Sequence, residues 1–318
     1  MGFLSLLNTV KSLYVIGNGF DIHHGIPSSF SNFRTWVCRE NPNAFWHFVE
    51  VFGAAEDDWW NSFESSLGDV SELWHYVDDA SIICDVCDRK KHQNDLNLAA
   101  DEVEKDVGGV VKKFKKEFQR WAVSLPAGDS KKCIPLDENS VFLTFNYTLT
   151  LENLYGICSE NILHIHGSVE NSESIIFGHG RSRKDIRAAL YSYTCYEKGY
   201  VQIEPDEPVD DLLFEFAQDM AADQVYYKFG KNVRKMIEKE HVFFESLEDV
   251  ETLYIYGFSF AEIDLPYLQE IFKYVNPATI QVVVSWFTNR DKYRARKLLK
   301  TVPLQKRVKW VRLDTLCC

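Results

Sequence analysis

Leu13-Tyr14-Val15-Ile16-Gly17-Asn18-Gly19-Phe20-Asp21 passes from apolar to small and polar in a single step, and that break decides how the chain is read. Four apolar residues in succession suit a strand buried on both faces of a parallel sheet. The same kind of break recurs in Phe142-Leu143-Thr144-Phe145-Asn146-Tyr147 and in Ile162-Leu163-His164-Ile165-His166-Gly167. In an open α/β sheet the ligand crevice lies outside the carboxyl ends of the strands. Gly17, Asn18, Gly19, Asn146 and His166 are therefore expected on one edge.

Working outward, strands are expected at about 12–16, 141–144, 162–165, 175–177, 252–256 and 280–285. Helical sequence follows Asp21 as far as Gly25-Ile26-Pro27, and an apolar-periodic helix spans 265–274. This alternation implies an α/β fold with a parallel sheet and helices on both faces. The chain reads as a single domain, 1–318, with a mainly helical insertion at about 57–125 and a second helical stretch at about 209–244. In the insertion, Trp60, Phe63, Glu64 and Leu67 fall on one helical face.

The 318 residues include 35 basic and 47 acidic side chains, a net charge of -12, which opposes general attraction to a phosphate backbone and counts against a nucleic-acid partner. A local exception is Lys112-Lys113-Phe114-Lys115-Lys116, which at helical spacing reads as a solvated face. Eight cysteines lack the dense spacing of a secreted disulfide scaffold and fit a reduced, cytoplasmic compartment. The opening Met1-Gly2-Phe3-Leu4-Ser5-Leu6-Leu7 is read as neither a leader nor a myristoylation signal. No stretch reads as a membrane span.

The Gly17-Asn18-Gly19 turn suits a phosphate because glycine lets another group approach the backbone closely, although the same turn also serves a chain with no ligand. The third glycine of G-x-G-x-x-G is replaced by Ile22. Asn146 reads either as a polar ligand group or as a cap for a helix at about 148–155. His166 reads either as a packed strand-end histidine or, with Gly167 letting the chain turn away, as an acid or base at neutral pH. His164 reads as structural. After the second glycine turn, Gly257-Phe258-Ser259, Asp264 would either bond a ribose hydroxyl or cap the helix opened by Leu265-Pro266. There is no G-x-S-x-G, H-E-x-x-H or P-loop.

Taken together, the segments Ile16 to Asp21 with Gly25-Ile26-Pro27, Trp60 to Leu67, Phe142 to Tyr147, His164 to Gly167 and Tyr256 to Asp264 resemble the AbiH family of bacterial abortive-infection proteins. That family is similar to a divergent branch of the sirtuin-like NAD-binding superfamily. The resemblance implies a Rossmann-like sheet of the sirtuin-like type, with Gly17, Asn18, Gly19, Phe20, Asp21, Gly257, Ser259 and Asp264 contacting NAD. It places Asn146 on the asparagine of the sirtuin T-Q-N-I-D motif and His166 on the H-G histidine, as catalytic residues. Asn18 stands where sirtuins carry alanine, Asp21 where they carry serine, and Thr148 where they carry the aspartate of N-I-D.

A sirtuin deacylase also carries a four-cysteine zinc module, and only Cys195 lies between His166 and the terminal Cys317-Cys318. The resemblance therefore implies an anti-phage effector that hydrolyses NAD at the nicotinamide–ribose bond, without a metal. Its alternative is a non-catalytic nucleotide-sensing or partner-regulating module. A second copy of the chain or a companion defence protein is the expected protein partner.

Cys84 and Cys87 form a lone C-x-x-C, and two thiolates need two further ligands to close a structural zinc site. Elemental analysis of the purified protein is expected to find no stoichiometric zinc. One zinc per chain that is lost in Cys84→Ser would contradict this.

Overall fold

The computed structural model describes residues 11–69, 73, 101, 103–197 and 208–316. Cys84, Cys87, the opening segment and the terminal cysteines lie outside the described residues. The chain divides into two compact units. One comprises residues 1–29, 122–176 and 232–318, and the other residues 30–121 and 177–231.

The first unit is built on a six-stranded, all-parallel sheet in the order β3-β2-β1-β4-β5-β6. The strands are β1 (Ser12–Ile16), β2 (Val141–Thr144), β3 (Ile162–His164), β4 (Thr252–Tyr256), β5 (Gln281–Ser285) and β6 (Lys309–Val311). Side-chain alternation along each strand feeds two cores. On one face Leu13, Val15, Leu143, Leu253, Ile255, Val282 and Val284 pack with the helices Leu265–Tyr274 and Asn289–Leu299. On the other, Tyr14, Ile16, Phe142, Ile162 and Tyr256 pack with Phe20 of the helix Asn18–His23 and Leu151 of Thr150–Tyr155. The fold is α/β, with helices on both faces of a Rossmann-like sheet.

The second unit has an aromatic interior. Phe33, in the helix Phe30–Glu40, meets the rings of Trp60, Phe114 and Phe118 edge-on, and Phe48 stacks on Phe114 at 3.5 Å between centroids. The single helical face expected here is interrupted, because the helices Asp57–Asn61 and Phe63–Ser66 meet at a non-helical Ser62; Trp60, Phe63 and Leu67 are nonetheless buried, and Glu64 pairs with the buried Lys231 at 3.1 Å. The segment at 112–116 lies within the helix Gly109–Ser124, with Phe114 turned inward and Lys112, Lys113 and Lys116 exposed. A π-helical turn, Glu104–Gly108, precedes it.

One further expectation needs correction. Residues 175–177 form no strand: Ile176 N–H donates to the His166 carbonyl at 2.9 Å, but no ladder follows. The buried-exposed-buried pattern of Ile175, Ile176 and Phe177 imitates a strand, whereas β3 is the sheet edge. The helical stretch at 209–244 consists of Pro208–Phe229, Val233–Lys239 and His241–Glu245. The helix Asn289–Leu299, closed by a Thr288/Asp291 capping box, and the three-residue β6 were not anticipated.

At the centre of the sheet the β1 and β4 turns touch through backbone alone. Gly17 N–H donates to the Tyr256 carbonyl at 2.9 Å and Gly19 N–H to the Gly257 carbonyl at 2.8 Å. Gly257 sits at φ +64, and a Cβ there would lie 2.1 Å from Phe20 N. Gly257→Ala is expected to lose more than about 3 kcal/mol in denaturant unfolding, since a rigid backbone clash adds to the left-handed strain. Gly156→Ala is the control. It shares the left-handed conformation at φ +66 with nothing within 4 Å of the added methyl, and is expected to lose only about 1–2 kcal/mol. Equal losses would show that the close approach carries no energy.

Candidate functional site

The sheet places Gly17, Asn146, His166 and Gly257 just beyond the carboxyl ends of β1, β2, β3 and β4, on one edge. The flanking pairing continues past the strands: Phe145 N–H donates to the Ile16 carbonyl at 2.9 Å and Ile165 N–H to that of Thr144 at 3.1 Å. The four positions are therefore held in register by the ladder itself.

One group forms around Asp21. Its side chain is buried, and its two oxygens accept from Thr148 Oγ1 at 2.6 Å and Thr150 Oγ1 at 2.8 Å. Burial pushes its pKa up to about 6, against the opposing pull of the Thr148, Thr150 and Asn146 hydrogen-bonding groups. Asn146 is 5% exposed. Although its carboxamide is close enough to Asp21 to act on that pKa, neither Nδ2 nor Oδ1 has a well-formed hydrogen bond among the described residues. The helix beyond it starts at Thr150 with Leu149 at the cap position, so Asn146 is not its cap. The Asn146 backbone is pinned instead: its N–H donates to Thr144 Oγ1 at 3.1 Å and its carbonyl accepts from His164 Nδ1 at 3.1 Å. The other nitrogen of His164 meets Glu152 at 2.9 Å, so both of its ring nitrogens are engaged within the protein.

A second group forms around His166, which is 3% exposed. Its ring lies edge-on to Phe145 and Tyr267, at 5.1 and 5.7 Å between centroids, and its Nε2 is 3.8 Å from Asp264 Oδ1. That separation is long for a hydrogen bond but forms an ion pair whenever the imidazole is protonated. Gly167, at φ +77, turns the chain away at once; a Cβ there would strike the Ser174 carbonyl at 2.3 Å. Asp264 stands at the cap position of Leu265–Tyr274 but makes no side-chain cap bond. Its carboxylate faces His166 instead.

The remaining candidates separate. Asn18 and Ser259 are exposed at the tips of their turns, and the Asn18 side chain donates to the Ser28 carbonyl at 3.0 Å. Phe20 is fully buried against His24 and Tyr155. The N–H groups of Gly17, Gly19 and Phe20 are taken by the carbonyls of Tyr256, Gly257 and Gly17. The close approach that these glycines permit is thus used by the protein's own second turn. In that turn Phe260 is held at φ +54, a left-handed conformation that costs a non-glycine residue about 1–2 kcal/mol. Sequence reasoning missed Phe145, Thr150 and Tyr267, because only tertiary packing brings them to these groups.

The family model for bacteriophage abortive infection AbiH matches residues 13–286. The chain belongs to the AbiH family. The matched span runs from β1 to the end of β5 and contains every candidate residue above. Family membership places the protein in bacteriophage abortive infection. Comparison with curated proteins and with solved structures gives no match. Among the described residues no helix is long and apolar enough to cross a membrane, and no cluster of His, Cys, Asp or Glu could hold a metal ion.

Asp21 has a measurable consequence. The folded state holds its proton more tightly than the unfolded chain, whose value is near 3.8. Its contribution is therefore most favourable below that value, declines as pH rises towards about 6, and is constant above. The full change is about 3 kcal/mol by the usual conversion of a pKa shift. Asp21→Asn alters the hydrogen bonds by a pH-independent amount. The stability of wild type minus that of the variant is therefore expected to fall by about 3 kcal/mol across this window. A flat difference would mean that Asp21 titrates normally.

Proposed function

We propose that this AbiH protein acts in the cytoplasm by binding NAD and hydrolysing it at the nicotinamide–ribose bond. The observation that carries this reading is Asn146: a buried carboxamide without well-formed hydrogen bonds, at a strand end, on the edge that also carries the His166–Asp264 pair. Buried amides are ordinarily satisfied, so beyond its pull on Asp21 this one has hydrogen-bonding capacity left for a ligand or a water. The sirtuin resemblance supplies NAD as that ligand. The two departures at Asp21 and Thr148 are compatible with it, because carboxylate and hydroxyl have changed places and still meet, at 2.6 Å.

In this reading Asn146 orients a water beneath the nicotinamide ribose. His166 takes a proton from that water or from a ribose hydroxyl, and Asp264 stabilises the imidazolium that results. Bond cleavage passes through an oxocarbenium-like state, and fixed negative groups near the developing positive charge lower its energy. Asp21 suits that role, since a carboxylate with a pKa of about 6 is mostly ionised at neutral pH despite its burial. The exposed tips Asn18 and Ser259 take the diphosphate, because the glycine amides are already bonded. The same occupied amides, with Asn146 and His166 so nearly covered, favour a second reading in which the protein senses a nucleotide without cleaving it.

Chromatography of NAD incubated with the protein separates the two readings. His166→Ala and Asn146→Ala are each expected to slow nicotinamide release by about a hundredfold to ten-thousandfold with an unchanged melting transition. In cells under phage challenge, NAD is expected to fall with wild type and to hold with both variants. Growth arrest at constant NAD, or an equal fall in wild type and variants, would exclude hydrolysis by this site.

A further inference from the structure

Residues 289–312 hold ten Lys or Arg and a single acidic residue, Asp291, in a chain of net charge -12. They form the helix Asn289–Leu299, the turn after it and the edge strand β6, beyond the span matched by the family model. Lys297, Lys300, Lys306, Arg307 and Lys309 are exposed. Among the described residues, Lys300, Lys306 and Arg307 make no ion pair.

Aromatic rings are interleaved with these cations. The Arg296 guanidinium lies 5.5 Å from the Trp310 ring, and Lys292 Nζ lies 5.5 Å from Trp310 and 4.3 Å from Trp286. Arg312 continues the series at 5.3 Å from Trp286 and 5.6 Å from Phe287, a residue 78% exposed. Arg296 and Trp310 also line a groove of about 520 Å³ with Lys300, Lys306 and Arg307 along it. One end of the series is thus a cationic groove and the other an open ring.

We infer that this strip binds single-stranded nucleic acid, with phosphates along the Lys300, Lys306 and Arg307 groove and unstacked bases on Phe287 and the tryptophan edges. The inference is independent of the NAD reading. Clustered cations attract a polyanion, and exposed rings give bases a sequence-tolerant platform. The overall charge of -12 does not prevent this. At physiological salt screening acts over about 8 Å, so the local patch governs contact. A duplex presents phosphates but keeps its bases stacked inside, and a flat anionic bilayer cannot enter a concave groove. The sheet places the strip on β5 and β6, with β1, β2 and β4 between it and β3.

The test is fluorescence anisotropy of labelled single-stranded RNA and DNA oligomers of mixed sequence, with a duplex of the same sequence and anionic phospholipid vesicles as further arms. Binding of either single strand, tighter than duplex and weakening steeply with salt, is expected; the tighter strand identifies the source. Lys300→Glu/Lys306→Glu/Arg307→Glu is expected to weaken it at least tenfold and to flatten the salt dependence. Phe287→Ala is expected to weaken it about tenfold while leaving the salt dependence unchanged. Each variant is checked by its melting transition. Absence of single-strand binding by wild type, equal affinity for duplex, binding of vesicles alone, or undiminished affinity in the folded triple variant would overturn the inference.

Discussion

The Gly17–Gly19 turn and the Gly257 turn meet backbone to backbone, and the arrangement of the candidate site depends on that contact. In the order β3-β2-β1-β4-β5-β6 the direction of winding reverses between β1 and β4. This is the topological switch point, where open α/β sheets ordinarily leave a crevice for a nucleotide. Here Gly19 N–H donates to the Gly257 carbonyl, and Gly257 N–H donates to Ser285 Oγ at 2.8 Å rather than to a ligand. The floor of the crevice is closed by the protein itself. Side chains beyond the strand ends, rather than a glycine cradle, are left to recognise a ligand.

One of those side chains, Asp21, is held under electrostatic tension. Asp21 is buried and ionised at neutral pH, at a cost offset only in part by the hydroxyls of Thr148 and Thr150. His166 is packed between Phe145 and Tyr267 with Asp264 Oδ1 3.8 Å from its Nε2. A buried carboxylate whose ionisation is opposed by desolvation and favoured by hydrogen-bond donors is more often found at functional sites than elsewhere. The left-handed Phe260 in the same turn as Asp264 adds conformational strain to this edge.

Much of the sheet was legible because a strand buried on both faces leaves an unbroken apolar run, and each of β1, β2 and β4 does so. Where the signal was weaker the reading failed in both directions. Ile175-Ile176-Phe177 has the apolar run of a strand but no ladder beyond the single Ile176–His166 bond, whereas Lys309-Trp310-Val311 pairs with β5 from within a basic segment that hides its pattern. The edge on which Asn146 and His166 lie followed from parallel topology alone. Their actual neighbours did not: Thr150 reaches Asp21 across 129 positions of sequence, and Tyr267 reaches His166 from the helix after β4. The glycines were read for what they permit, close approach, while the group that approaches is visible only in three dimensions.

A crystal structure of the protein grown with ADP-ribose tests most directly whether these strand ends form one nucleotide site. The account predicts the terminal ribose between Asn146 and His166, a hydrogen bond to the Asn146 carboxamide, and the diphosphate beside Asn18 and Ser259. Density for the ligand on another edge of the sheet, or at this edge with no contact to Asn146 or His166, would contradict it.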